Sequence, residues 1–148
     1  VTPLSFVFGF FRACDNRAAV NTFLSPGIAM SISSESGTVL VALDAVPDQG
    51  FHSVEALLKN GDAETLVLYR DGAQVRAWLN VCPHAGRAMD WAPGQFLKSR
   101  EGYLVCAVHG ASFELEGGLC VAGPCKGDSL RAIPVQVRDG QVLLSPEA

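Results

Sequence analysis

Two short knuckles, Cys82-Pro83-His84 and Cys106-Ala107-Val108-His109, lie twenty-one residues apart within the stretch from Asn80 to Phe113, and they constrain this chain more than any other feature. Each offers one thiolate and one imidazole. The usual structural zinc site draws two cysteines from one knuckle and two histidines from a helix. A mixed pair in each knuckle asks for a different site, with a mixed-ligand zinc ion as the alternative left open.

A two-iron, two-sulfide cluster with unlike irons meets that request: one iron takes both cysteines and the other both histidines, so each knuckle gives one ligand to each iron. On these residues the chain resembles the Rieske family, in particular its small ferredoxin-like and nitrite-reductase-small-subunit-like members. The match extends to Cys82-Pro83-His84-Ala85-Gly86, to His109-Gly110, and to Gly123-Pro124-Cys125, which resembles the family's proline loop over the cluster; it covers about residues 38 to 145. The resemblance implies one [2Fe-2S] cluster, with Cys82 and Cys106 on the inner iron and His84 and His109 on the outer iron through Nδ1, close to solvent. It also implies an all-β fold of stacked antiparallel sheets with a cluster-binding subdomain of two loops. Gly86, Gly110, Pro124 and Cys125 would flank the cluster, and the cluster-binding region would span 80–127 of a Rieske domain at 37–148.

Composition sets the remaining bounds. A chain of 148 residues can bury a core without disulfide staples. The apolar run Phe6 to Phe11 has six residues, against about eighteen for a bilayer span, so no membrane anchor is expected. No basic segment precedes Phe6, and Arg12-Ala13-Cys14 is a poor cleavage context, so neither a signal peptide nor a lipoprotein site is read. Five cysteines, an odd number, fit reduced thiols in the cytoplasm better than a disulfide framework. A net charge of −4 with no Lys/Arg cluster excludes a nucleic-acid stripe and favours a basic redox partner.

Along the chain, residues 1–36 read as an N-terminal extension, loosely ordered, with Phe6, Phe8, Phe10 and Phe11 able to pack on the domain or meet a partner. From Thr38 onward short β-type runs alternate with turn signals, the pattern of an all-β sandwich or barrel. Val39 to Leu43 opens it. Asp71-Gly72-Ala73 and Asp139-Gly140 predict hairpins between 64–70 and 74–80 and between 133–138 and 141–145. The alternation of Val75, Ala77 and Leu79 with Arg76, Trp78 and Asn80 predicts a half-buried strand that delivers Cys82; Tyr103 to Val105 delivers Cys106 likewise. Ser53 to Lys59 reads as a helical turn, and Asp90 to Phe96 as a loop over the core. Trp78 and Trp91 read as core or loop anchors, His52 has no role, and Cys14, Cys120 and Cys125 read as buried thiols, with Cys125 placed to affect the cluster's polarity.

The family's usual work is one-electron transfer between proteins. The resemblance therefore implies a carrier between a reductase and an oxygenase or other acceptor, or a relay subunit of a nitrite-reductase-like complex; a zinc-stabilised interaction module is the non-redox alternative. Two departures from the respiratory, quinol-oxidising branch matter. That branch has an extra cysteine in each knuckle, where this chain has Arg87 and Val108, and hydroxyl donors to the cluster, where this chain has Ala111 and Phe113. The disulfide and both donors are absent, which predicts a low potential unless Ser112 reaches sulfur instead. An oxygenase's own mononuclear iron needs two histidines and a carboxylate. His52 is the only histidine left for it, so substrate oxidation is not expected of these residues.

Overall fold

The computed structural model describes residues 37–148. The extension read over 1–36, with Phe6, Phe8, Phe10, Phe11 and Cys14, lies outside the described residues. Eleven strands follow: β1 (Thr38–Ala42), β2 (Phe51–Leu57), β3 (Ala63–Asp71), β4 (Gln74–Leu79), β5 (Leu97–Lys98), β6 (Leu104–Val105), β7 (Ser112–Phe113), β8 (Cys120–Ala122), β9 (Ala132–Ile133), β10 (Val135–Arg138) and β11 (Gln141–Leu144). They form three antiparallel sheets, ordered β1-β11-β10, β2-β3-β4-β9 and β5-β6-β7-β8. The only helical element among the described residues is a 3₁₀ turn at Leu43–Ala45, and no helix there is long and apolar enough to cross a membrane.

Both hairpins form where the Asp-Gly pairs stand. Asp71 pairs with Gln74, and Gly72 takes φ +60° at the first of the two turn positions. Arg138 pairs with Gln141 across Asp139 and Gly140, at φ +51° and +71°; positive φ at both positions is what a type I′ turn requires. The second hairpin begins later than the sequence suggests. Ile133 belongs to β9, paired with β4, and Pro134, which has no N–H to give a ladder, hands the chain over to β10 in another sheet.

Ser53 to Lys59 is the clearest correction. Residues 53–57 lie on an extended strand, β2, paired with β3 along its whole length from Phe51–Tyr69 to Leu57–Ala63, and Leu58 and Lys59 follow its end. Ala56 and Leu58 are buried while Leu57 is exposed, a period of two. Sheet pairing and burial override local propensity here.

The sheet β2-β3-β4-β9 is the middle one, with the centre of β3 and the end of β4 buried on both faces. Leu66 and Leu68 of β3, with Ala77 and Leu79 of β4, join Ile133, Val142 and Leu144 in one core. Val67 and Tyr69 of β3, with Trp78 of β4, point the other way, into a core shared with Leu104, Phe113 and the four described cysteines. Strand β4 is thus more than half-buried at its far end: Trp78 is 2% exposed and Asn80, just beyond it, 6%. That end leads straight into Cys82.

Candidate metal centre

The two knuckles are near copies of one another in backbone terms. In the first, the Cys82 N–H donates to the Arg87 carbonyl at 2.8 Å and the Gly86 N–H returns to the Cys82 carbonyl at 2.8 Å. In the second, Cys106 N–H donates to Ala111 at 2.8 Å and Gly110 N–H to Cys106 at 2.9 Å. Each loop closes over a glycine with positive φ, +64° at Gly86 and +73° at Gly110. A Cβ at either would meet no protein atom within 4 Å. Among the protein atoms, then, it is the left-handed backbone that selects glycine here rather than crowding.

This repeated geometry sets four side chains in two pairs. Cys82 and Cys106 are buried, at 3% and 1% exposure, in one core cluster. His84 and His109 are exposed, with Nδ1 facing Nδ1 at 3.1 Å and rings nearly perpendicular, 84° apart. Two nitrogens each about 2.0–2.1 Å from one metal can stand at just that separation. A buried thiol pair and an exposed imidazole pair fit a two-metal group with unlike ends.

Burial pushes the Cys82 thiol up to about 11; the His84 backbone N–H works against this, and the Cys106 thiol adds to it. Such a thiol keeps its proton at neutral pH, so metal binding has to displace it.

The proline loop sits on the second knuckle. A Cβ on Gly123, at φ +104°, would lie 2.7 Å from the Ala111 Cα. Pro124 is exposed, while Cys125 is 5% exposed and donates to the Cys120 sulfur at 3.5 Å. Burial, then the Cys120 thiol, raises the Cys125 thiol above its ordinary range, and the nearby Cys82 sulfur acts the other way. The Ser112 hydroxyl donates to the Gly110 carbonyl at 3.3 Å. Ala111 and Phe113 are fully buried.

Trp78 is a core residue, but Trp91 is 61% exposed. The loop from Asp90 to Phe96 is held instead by Asp90, which accepts from Asn80 and from Gly94 N–H, and by Phe96 against Phe51. His52 lies near the start of β2, opposite Leu68. The residue that sequence reasoning passed over is Asn80, read only as part of a strand pattern. An amide two positions before Cys82, at the end of an apolar strand, was its one signal.

A family model described as "Rieske [2Fe-2S] domain" matches residues 38–137; no curated protein matches. Among solved structures, the ferredoxin of carbazole 1,9a-dioxygenase from Nocardioides aromaticivorans IC177 is 24% identical, with a TM-score of 0.57, covering 75% of this chain and 98% of that one. The terminal oxygenase of carbazole 1,9a-dioxygenase from Novosphingobium sp. KA1 is 20% identical, with a TM-score of 0.62, covering 75% of this chain and 30% of that one. A chain in the reduced complex between oxygenase and ferredoxin in carbazole 1,9a-dioxygenase is 16% identical, with a TM-score of 0.61, over 75% of this chain and 28% of that one. At these identities the structural likeness establishes the fold. Together with two matching knuckles, stacked antiparallel sheets and a family match across most of the described residues, it leads to one assignment: this chain belongs to the Rieske [2Fe-2S] domain family.

Proposed function

We propose that residues 37–148 form a Rieske domain, with its cluster-binding region at 80–127, that works as a one-electron carrier from a reductase to an oxygenase or other acceptor. Cys82 and Cys106 hold the inner iron of one [2Fe-2S] cluster, and His84 and His109 hold the outer iron. The observation that carries this reading is the pair of exposed imidazoles meeting Nδ1 to Nδ1 at 3.1 Å beside a buried thiol pair. When bound, the cluster supplies reversible one-electron chemistry.

The chain's own residues do the rest. The buried cysteines anchor the inner side away from water, while the exposed histidines bring the outer side to the surface where a partner docks. Gly86 and Gly110 close the loops beneath the ligands; Pro124 and Cys125 cover them. The likeness to a ferredoxin over nearly its full length, and to structures of oxygenase and ferredoxin together, supports a carrier serving an oxygenase. Four described cysteines, all free thiols, support a cytoplasmic setting.

No hydroxyl stands where the respiratory type directs its donors, and the Ser112 hydroxyl is turned to a backbone carbonyl. Fewer hydrogen bonds to sulfur leave the reduced form less favoured. A potentiometric titration is expected to place the midpoint near the low end of the Rieske range, about −150 mV rather than about +300 mV. A midpoint well above about 0 mV would contradict this account of the tuning.

A further inference from the structure

We propose that Asn80 is a positioning residue for the cluster, a brace that fixes the second knuckle relative to the first. It is the one polar residue among the described residues that is buried, at 6% exposure. Its backbone is anchored in the middle sheet by an N–H bond to the Thr65 carbonyl at 2.8 Å. Its side chain reaches out of the sheet in two directions. Oδ1 accepts the Met89 N–H at 2.9 Å, and Nδ2 donates to Asp90 Oδ1 at 2.8 Å. Met89 N–H can only donate, which settles the amide's orientation.

From Met89 the connection continues to the other knuckle. The Met89 carbonyl accepts the N–H of Ala107, which lies between Cys106 and His109, at 2.9 Å. One buried amide thus links the strand that delivers Cys82, the segment that leaves the first knuckle, and the backbone between the two ligands of the second. Met89 itself is fully buried in the core that holds Cys82 and Cys106. No strand ladder joins the two knuckles directly. Their spacing, and with it the meeting of each ligand pair, rests on this relay and on core packing.

The relay can be reversed chemically without changing its shape. In Asn80→Asp, two carboxylates face one another where an amide donated to a carboxylate, and repulsion drives the 89–90 segment off. In Asp90→Asn, the amide can satisfy Asn80 or the Gly94 N–H bond but not both. With both exchanges together, Asn at 90 donates to Asp at 80, whose other oxygen accepts from Met89, and the carbonyl of the new Asn accepts from Gly94. Every bond is restored, with donor and acceptor swapped only in the bond between positions 80 and 90.

The role in holding the cluster rests on the function proposed above, whereas the relay itself does not. The test is therefore made on the purified full chain with two readouts, for the wild type, both single variants and the double variant. Amide hydrogen exchange at Met89 and Ala107 reads the relay whether or not iron is bound. The rate at which a chelator bleaches the cluster, with the paramagnetic resonance line shape of the reduced protein, reads the cluster. The expected result for Asn80→Asp is loss of protection at both amides, a shifted line shape, and cluster loss about 10- to 100-fold faster. The double variant is expected to return all three to the wild-type values. Unchanged Ala107 protection in Asn80→Asp, or a double variant no better than the sum of the singles, would overturn the proposal. So would altered protection accompanied by a wild-type line shape and bleaching rate.

Discussion

The two cores of this domain share strands β3 and β4 but are built on opposite principles. The core containing Leu66, Leu68, Ala77, Leu79, Val142 and Leu144 is largely aliphatic and closed by sheets with long ladders. The other holds Trp78, Tyr69, Phe113, Met89 and four cysteines, and is closed by strands of two or three residues and by loops. Successive residues of one strand serve both: Ala77 faces the first core and Trp78 the second. The difference teaches where order comes from. Backbone pairing fixes the scaffold, whereas the site is fixed by single side chains that bond to loop backbone.

Truncation in each core gives the sharpest contrast. Leu68→Ala and Trp78→Ala remove fully buried side chains, and each is expected to cost several kcal/mol, about 2–5 for the leucine and about 3–5 for the tryptophan. Urea unfolding followed by far-ultraviolet circular dichroism, with the visible absorption recorded alongside, separates them. The leucine variant should lose cluster absorption only as the whole domain unfolds. The tryptophan variant should lose it earlier, because Trp78 packs in the core that carries Cys82 and Cys106. Coincident transitions in both variants would erase the distinction between the two cores.

A smaller effect is expected where a loop meets a loop. Gly123→Ala places a methyl 2.7 Å from the Ala111 Cα at a φ of +104°, which costs about 1–3 kcal/mol and lifts the proline loop from the second knuckle. Faster exchange of the Cys106–Ala111 amides in this variant is the check; wild-type exchange there would mean the loop is seated by something else.

Glu114 gives the smallest effect and the most specific signature. Its carboxylate accepts the N–H groups of Glu116, Gly117 and Leu119 at 2.7–3.0 Å, holding the turn between β7 and β8. Burial opposes its ionisation, yet the backbone donors outweigh that and hold its carboxyl below the usual range. Because the folded-state value is depressed, the contribution is complete above the unfolded carboxylate value of about 4.3 and is lost as pH falls through the lower folded value. Glu114→Gln should lower stability by about 1 kcal/mol at neutral pH, solvent screening included. That gap should close in acid; a gap independent of pH would assign the loss to packing instead of charge.

How much of this was legible in the sequence follows the same division. The hairpins at Asp71-Gly72 and Asp139-Gly140 could be read because their turn chemistry is local. The ligand candidates could be read because the knuckle spacing is local too. Ser53 to Lys59 misled because its helix-forming residues are overruled by pairing with β3, which no local pattern reports. Pro134 was passed over as a boundary because the two sheets it separates meet only in the fold. Trp91 suggested an anchor by its size, but the loop is held by Asp90, a small polar residue whose partner is ten positions away. Asn80 and Glu114 left almost no trace, since what matters about each is which N–H groups surround it.

The central claim is that Cys82, His84, Cys106 and His109 hold one [2Fe-2S] cluster with unlike irons. Electron paramagnetic resonance of the anaerobically purified, dithionite-reduced protein, beside the His84→Ala variant and with iron, zinc and sulfide analysed in the same samples, tests it most directly. The account predicts a rhombic signal with the low average g of histidine-ligated clusters, absent from the variant. A colourless, silent protein carrying zinc without sulfide would contradict it, as would a signal that survives the loss of His84.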